Sequence, residues 1–413
     1  MADDLGYGDL GCYGGRRART PHLDRMSQEG LRLTDFHANA ASCSPTRAAL
    51  LTGRYQQRSR VVEALSERSP GLPDEARTIA EYLKTAGYHT AAIGKWHLGS
   101  RPDSSALPNR QGFDLFYGAR HGGIDYTSHV DRYGRLDWWR NEQSVDEAGY
   151  ATDLLTNQAV RFIEDHRTEP FFLYLPHLAV HFPWMTPDDK SYRQVGGDYD
   201  NAQKTGPHAA VDVPGVVDKM VERLDDGVGK VLACLARLDL DEKTLVVFTS
   251  DNGGYVHYAG VKNVSSNAPL RGGKIGMYEG GHRVPCLVRW PGRINAGSVR
   301  DATTMTMDLL PTCLELTGIP LPAVDGPAAL DGVSLVPLLL RNEPVAERTL
   351  FWQTGEMKAI RRGKWKVVMQ HDQPPELYDL SADLGERENL AAQKPERLRE
   401  LLAAFATWQA QFK

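Results

Sequence analysis

The sequence predicts an α/β fold, a mixed and mostly parallel sheet flanked by helices, with a small α+β unit at its C-terminal end. Three observations carry this. Short apolar runs of strand length alternate with longer amphipathic helical patterns. Polar, chemistry-bearing residues follow directly after several of those runs, where open α/β sheets gather their functional loops. Past residue 340 the texture changes to short alternating strands and one terminal helix. The expected division is therefore a main domain at 1–340 and a smaller one at 341–413.

Taken in order, the predicted buried strands are 90–93, 171–175, 245–249 and 286–290, each bounded by Gly, Pro or polar turn residues. Helical patterns cover 76–86, 151–166, 216–238 and 307–316. In the third, Val217, Met220, Val221, Leu224, Val228, Val231, Leu232 and Leu235 share one face. Ser44 as a cap, Pro45 in a first turn and Gly53 past the end predict a short helix over 45–52. Cys43 then lies at its positive end beside Arg47, where an anion or an activated nucleophile is stabilised. In the smaller unit, 350–353, 358–362 and 365–369 read as antiparallel strands and 395–411 as a helix.

Composition narrows the function. The chain has 413 residues, 24% of them charged, and a formal net charge of −5, which argues against a general nucleic-acid binder. No apolar run is long enough to span a membrane. The five cysteines (12, 43, 234, 286 and 313) are odd in number and widely spaced, so they form neither a zinc set nor a disulfide framework.

Several positions carry candidate chemistry. Asp3, Asp4, Asp251 and Asn252 offer the oxygen ligands that a hard cation such as Ca²⁺ takes, although the Asp-Asp pair taken alone reads rather as solvated surface charge and Asp251-Asn252 equally as an Asx turn. Lys95 and His97, in Gly-Lys-Trp-His-Leu-Gly, follow the first predicted strand and can face one pocket. Lys274 stands in a glycine-rich basic loop that can approach an anion closely. His177 and His181 are spaced like a helical zinc pair. Pro176 and Pro183 make a helix there improbable, so His181 is the site candidate and His177 its structural neighbour. Trp138, Trp139, His121, Asp125 and His129 either line a sugar pocket or pack and cap a loop.

The ordered set resembles the sulfatase family: Asp-Asp-x-Gly-x-x-Asp at 3–9, Cys-Ser-Pro-Thr-Arg at 43–47, the Lys95–His97 loop, His181, Ser-Asp-Asn-Gly-Gly at 250–254 and the Lys274 loop. Gly-Phe-Asp at 112–114 and Ile-Asp-Tyr-Thr-Ser-His at 124–129 look most like arylsulfatases and N-acetylgalactosamine sulfatases. The resemblance implies an alkaline-phosphatase-like fold and hydrolysis of sulfate monoesters on a carbohydrate or aryl alcohol. It implies that Cys43 is converted to Cα-formylglycine by a formylglycine-generating or radical maturation enzyme. One hydroxyl of the hydrate, ionised by the metal and held by Arg47, would attack sulfur. His181 or Lys274 would protonate the leaving alcohol, His97 would deprotonate the second hydroxyl, and Lys95 and Lys274 would hold the sulfate oxygens. The implied metal is one Ca²⁺, or Mg²⁺, on Asp3, Asp4, Cys43, Asp251 and Asn252. A phosphodiester or phosphonate monoester hydrolase of the same superfamily, and an inactive carbohydrate-binding relative, are the alternatives.

Family members usually carry a buried strand ahead of Asp-Asp. The expectation is therefore that the natural start lies upstream, with extracytoplasmic export, and that without this strand a central sheet position is vacant, the end frays and the metal is held weakly.

Overall fold

The computed structural model describes residues 1–100, 105–199, 206–323, 326 and 328–412. In chain order its principal elements are α1 (Pro21–Glu29), β1 (Leu31–Leu33), α2 (Cys43–Thr52), α3 (Ile79–Thr85), β2 (His89–Ile93), β3 (Leu115–Gly118), α4 (Ala151–Asp165), β4 (Phe171–Tyr174), α5 (Val213–Arg237), β5 (Val246–Thr249), β6 (His257–Tyr258), β7 (Val261–Lys262), β8 (Cys286–Arg289), β9 (Ser298–Arg300) and α6 (Leu309–Thr317). β10 (Thr349–Thr354), β11 (Met357–Arg362), β12 (Trp365–Met369), β13 (Glu376–Asp379) and α7 (Pro395–Gln409) follow.

The apolar stripe of α5 is buried at Val216, Val217, Met220, Val221, Leu224, Leu232 and Leu235. Each such side chain contributes roughly 1.5–3 kcal/mol by leaving water. This helix packs on α4 and α1. Its buried Asp225 carboxylate accepts the His22 and Leu23 N–H groups at 3.0 and 2.7 Å, satisfying two orphan donors in the first turn of α1.

The main sheet is mixed and is laid out as two arrays. β2 pairs in parallel with both β3 and β4, and two short antiparallel strands extend the β3 side. In the second array the order is β9-β1-β8-β5, with β1 and β9 parallel and the other pairs antiparallel. The first residues of the chain lie between the edge strands β4 and β5. The Met1 nitrogen donates to the Leu175 carbonyl at 2.9 Å and the Ala2 N–H to Thr249 at 2.8 Å. The Asp3 N–H donates to Ala179 at 2.9 Å, and the Val180 N–H returns a 2.6 Å bond to the Asp3 carbonyl. The fraying expected of Asp3 and Asp4 is thus overturned: bonds to both arrays leave them 0% and 3% exposed. Beside this segment, β4 and β5 flank a largely apolar cavity of about 860 Å³, lined by Phe171, Leu173, Val246 and Phe248 among others.

Element ends moved for local reasons. α2 starts at Cys43 with Ser42 at its cap position, two residues earlier than predicted. Ser44 is not the cap, because its hydroxyl accepts the Leu65 N–H at 3.1 Å. Pro45 still falls in the first turn, where its missing N–H costs nothing. α3 starts at Ile79 because Thr78 and Glu81 form a reciprocal capping box.

β10 to β13 form one antiparallel sheet, which α7 covers with Leu401, Phe405 and Trp408. β13 was not among the predicted strands. This sheet meets the main body through a buried ionic cluster. Arg361 holds both Asp35 oxygens at 2.7 Å, and Lys366 lies 2.9 Å from both Glu279 and Glu386. Arg283 contacts Asp35 and Glu279 at 3.0 and 3.2 Å, and His37 and His282 face each other at 3.0 Å.

Candidate active site

Every residue of α2 is buried, and Cys43 sits in its first turn. The loop ahead is pinned by Thr46, whose hydroxyl accepts the Ala40 N–H at 3.1 Å and donates to the Ala40 carbonyl at 3.0 Å. The Cys43 sulfur lies 3.2 Å from His97 Nδ1, and His97 Nε2 lies 2.9 Å from the Leu65 carbonyl. A carbonyl only accepts, so Nε2 carries the proton and Nδ1 turns a lone pair to Cys43. Burial, then the Lys95 and Arg47 charges, hold the His97 pKa well below the ordinary histidine value, which keeps this ring neutral.

β2 delivers Lys95 and His97 through Gly94. Its φ is +135°, and a Cβ there would lie 1.9 Å from the Pro176 carbonyl oxygen, so only glycine fits this exit. Lys95 is fully buried, and its ammonium lies 2.5 Å from Asp3 Oδ2. Arg47 is also fully buried. It gives Nε and Nη2 to Asp251 Oδ2 at 3.1 and 2.7 Å and Nη1 to the Lys95 carbonyl at 2.7 Å, while Nη2 stands 3.4 Å from Asp3. Its donors are spent on organising the carboxylates. Lys274 sits 2.6 Å from Asp4 Oδ1, which also accepts the Asn252 amide at 2.8 Å.

Three carboxylates and three cations are thus gathered in one buried place, yet their bonding is lopsided. Asp3 Oδ1, Asp4 Oδ2 and Asn252 Oδ1 are buried and accept no hydrogen bond. Asp251 differs: its Oδ1 accepts the Asp4 N–H at 3.2 Å and its Oδ2 the Arg47 guanidinium. His181 donates Nδ1–H to the Phe182 carbonyl at 2.6 Å, so its Nε2 lone pair faces the orphaned Asp4 Oδ2 at 3.8 Å. Ligand atoms of Asp3, Asp4 and His181 all lie within 4.8 Å of one another. Buried acceptors facing acceptors cost about 1–3 kcal/mol each unless something positive stands between them. Oxygen-rich and hard, the set fits one cation of the Ca²⁺ or Mg²⁺ type. Burial and the neighbouring Asp3 charge raise the Asp251 pKa, and burial raises that of Asp3. Burial lowers the Lys274 pKa, but Asp4, Cys43, Tyr255 and Asp3 together outweigh it and hold the group well above the ordinary lysine value.

Every predicted site residue is brought into this one cluster. His177 is set apart: it is buried, its N–H donates to the Met1 carbonyl, and burial lowers its pKa to about 3. The sugar-pocket reading fails for three residues. Trp138 is fully buried and stacks on His129 at 4.3 Å, and Asp125 accepts four backbone N–H groups, from Thr127, Ser128, Tyr192 and Arg193. Trp139 is half-buried beneath Arg120, and His121 lies 4.0 Å from Asp131. Residues missed from sequence are Gly122 and Gly123, where a Cβ would meet His97 at 2.8 Å and His181 at 3.1 Å, and the aromatics Tyr255 and Tyr258. Two aromatics just past Ser-Asp-Asn-Gly-Gly were the available signal.

The chain matches the Sulfatase family model over residues 1–319 and the model for the N-sulphoglucosamine sulphohydrolase C-terminal region over 273–406. Steryl-sulfatase of Mus musculus is 33% identical, over 98% of this chain and 80% of that protein. Arylsulfatase A of Homo sapiens is 34% identical, over 97% and 85%. Among solved structures, Ps i-CgsB in complex with k-i-k-neocarrahexaose superposes with a TM-score of 0.86 at 30% identity, over 99% of this chain and 91% of that one.

Proposed function

The chain belongs to the sulfatase family and hydrolyses sulfate esters, and on that premise we propose that the site around Cys43 performs the hydrolysis on a sulfated saccharide. The observation that carries the reading is the set of three buried oxygens, of Asp3, Asp4 and Asn252, that accept no hydrogen bond in the cluster Arg47 ties to the helix of Cys43. Asp3, Asp4 and Asn252 hold one Ca²⁺, with Asp251 completing the set through its remaining lone pairs. Bound there, the ion supplies Lewis acidity that favours an ionised nucleophile. Conversion of Cys43 to Cα-formylglycine by a maturation enzyme supplies a hydrated aldehyde, with one hydroxyl to attack sulfur and a second to release it.

The chain's own residues do the remaining work. Arg47 fixes Asp251 and Asp3 rather than reaching substrate, so it positions the ligand set. Lys95 and Lys274 present ammonium groups where sulfate oxygens gain charge. His97 Nδ1 faces residue 43 with a lone pair and takes a proton from it. His181, with Nδ1–H committed to Phe182 and its pKa held well below the ordinary value by burial, turns an unprotonated Nε2 to the pocket as an acceptor, so the Lys274 ammonium protonates the leaving alcohol.

The test is peptide mass spectrometry across residues 41–54 of protein made with a maturation system, where a loss of about 18 Da at Cys43 is expected. It is paired with sulfate release from 4-nitrophenyl sulfate against hydrolysis of bis(4-nitrophenyl) phosphate. An unmodified thiol, or a clear preference for the phosphodiester, overturns the reading.

A further inference from the structure

Among the described residues, three groups of histidine and acidic side chains come close enough together to hold an ion. Asp3, Asp4 and His181 belong to the site at Cys43. His37, Glu279 and His282 already face cations: Arg361 lies 3.0 Å from His37 Nε2, and Lys366 lies 2.9 Å from Glu279 and 3.2 Å from His282 Nε2. The third group is His89, His166 and Glu169. His89 opens β2, His166 follows the last residue of α4, and Glu169 stands two residues ahead of β4. β2 and β4 run parallel, and β2 delivers Lys95 and His97 from its far end. This group therefore lies at the opposite end of the sheet from Cys43.

Its geometry is that of a nitrogen-rich metal site. His166 Nδ1 lies 2.8 Å from the Phe162 carbonyl, which only accepts, so Nδ1 carries the proton and Nε2 keeps the lone pair. Ligand histidines are oriented in this way, by a backbone carbonyl on the other ring nitrogen. His89 Nε2 lies 3.2 Å from Glu169 Oε2. Two donors about 2.0–2.1 Å from a tetrahedral Zn²⁺ stand about 3.3–3.4 Å apart, so this pair is already spaced as one edge of such a site. The two imidazole rings are 4.6 Å apart, and donor atoms of all three residues fall within 4.8 Å of one another. Backbone bonds tie the three segments together. The His89 N–H donates to Pro170 at 2.9 Å, and the Glu169 N–H donates to His166 at 3.1 Å. The buried Phe162 ring packs on His166 at 4.4 Å and closes one side. Glu169 is exposed and both histidines are half-buried, which leaves an approach from solvent and room for water as a fourth ligand.

We propose that His89, His166 and Glu169 bind one Zn²⁺, as a staple between α4 and the entry of β2 and β4. Two imidazoles and one carboxylate suit Zn²⁺, whereas Ca²⁺ and Mg²⁺ take oxygen. The two ends of the sheet thus sort ions by donor atom. The ion takes the place of the proton between His89 and Glu169, and the neutral His89 ring keeps its one proton on Nδ1. The staple acts on stability and leaves the chemistry at Cys43 alone.

The experiment is calorimetric titration of ZnCl₂ into tag-free protein that has been stripped of metal and reloaded with Ca²⁺. One Zn²⁺ is expected to bind with a Kd of about 10 µM or tighter, with millimolar Ca²⁺ failing to displace it. His89→Gln and His166→Gln each weaken binding by more than about tenfold. Asp4→Asn, in the Cys43 site, leaves it unchanged. Co²⁺ in place of Zn²⁺ gives a visible d–d band that the two histidine variants lose. Hydrolysis of 4-nitrophenyl sulfate stays within about twofold of wild type in His89→Gln. Weaker binding or none overturns the proposal, as does binding that survives both histidine changes or vanishes in Asp4→Asn. Should circular dichroism show either histidine variant to be unfolded, Glu169→Gln, at an exposed position, carries the same expectation and the same refutation.

Discussion

The molecule holds two buried ionic clusters built from nearly the same parts. Around Cys43 stand three carboxylates (Asp3, Asp4 and Asp251), three cations (Arg47, Lys95 and Lys274) and two histidines (His97 and His181). Where the C-terminal sheet meets the main body stand Asp35, Glu279 and Glu386, with Arg283, Arg361 and Lys366, and His37 and His282. Formal charge does not separate them; bonding does. In the second cluster Arg361 takes both oxygens of Asp35, Glu279 gives its two oxygens to Lys366 and Arg283, and Glu386 Oε1, which accepts no hydrogen bond, still has the Lys366 ammonium at 2.9 Å. In the first, cations satisfy one side of each acid and leave Asp3 Oδ1, Asp4 Oδ2 and Asn252 Oδ1 turned inward with nothing to accept. A closed network is a joint. An open one is a site.

Four measurements break or sharpen this contrast. The largest effect belongs to Cys43→Ala, which is expected to lower sulfate release by at least about a thousandfold with little change in Tm. An activity loss matched by a collapse in Tm would place Cys43 in the structural class instead. Next comes Lys366→Met, which strips the cation from two wholly buried carboxylates. It should cost about 3–5 kcal/mol in urea unfolding, while the folded variant keeps its activity in the cold. Third, chelation should abolish activity and remove stability that returns with Ca²⁺, about 2.7 kcal/mol at a hundredfold excess over Kd. The same titration on Lys366→Met should give the same increment, because the oxygens of Asp3, Asp4 and Asn252 are untouched by that change.

The smallest effect concerns pH. Burial raises the Glu386 carboxyl to about 7 from an ordinary 4.5; Lys366 opposes the shift and Glu279 adds to it. Glu279, facing Lys366, His37 and Arg361 as well, is held well below its usual range despite its burial. The folded state therefore binds the Glu386 proton more tightly than the unfolded chain does. Its contribution is complete below pH 4.5 and is lost as pH rises through 7. Glu386→Gln keeps the neutral form at every pH. It should sit within about 1 kcal/mol of wild type at pH 5 and flatten the fall in Tm between pH 5 and 7.5.

The two clusters also differ in how far the sequence revealed them. Cys43, Lys95, His97, Asp251 and Asn252 stand at a helix start or just past strands, in short dense motifs, because loops at strand ends are where side chains can converge. The second cluster draws on positions from 35 to 386; Glu279, His282 and Arg283 stand at helical spacing, but Arg361, Lys366 and Glu386 reach them only when the C-terminal sheet docks. Asp3 and Asp4 lay between these cases. Their chemistry was legible and their rigidity was not, since that comes from backbone bonds to Thr249 and Ala179 far along the chain. The start of α2 was misplaced because Ser44 takes the Leu65 N–H instead of capping, and that of α3 because Thr78 and Glu81 cap one another. Aromatic and acidic residues near 125–139 looked like sugar ligands because composition does not say which way a side chain points.

The complete burial of α2 also sets an order of events in time. Cys43 is 3% exposed, and the rest of its helix is closed off behind it. If Cys43 is converted as proposed, its burial leaves the modifying enzyme the interval between synthesis and docking of the helix in which to reach it. Folding that is too fast is then as harmful as folding that is too slow. Yield of working protein should follow the race between the two, and a slower-folding variant grown with the same maturation system can carry more converted residue 43 than a faster one.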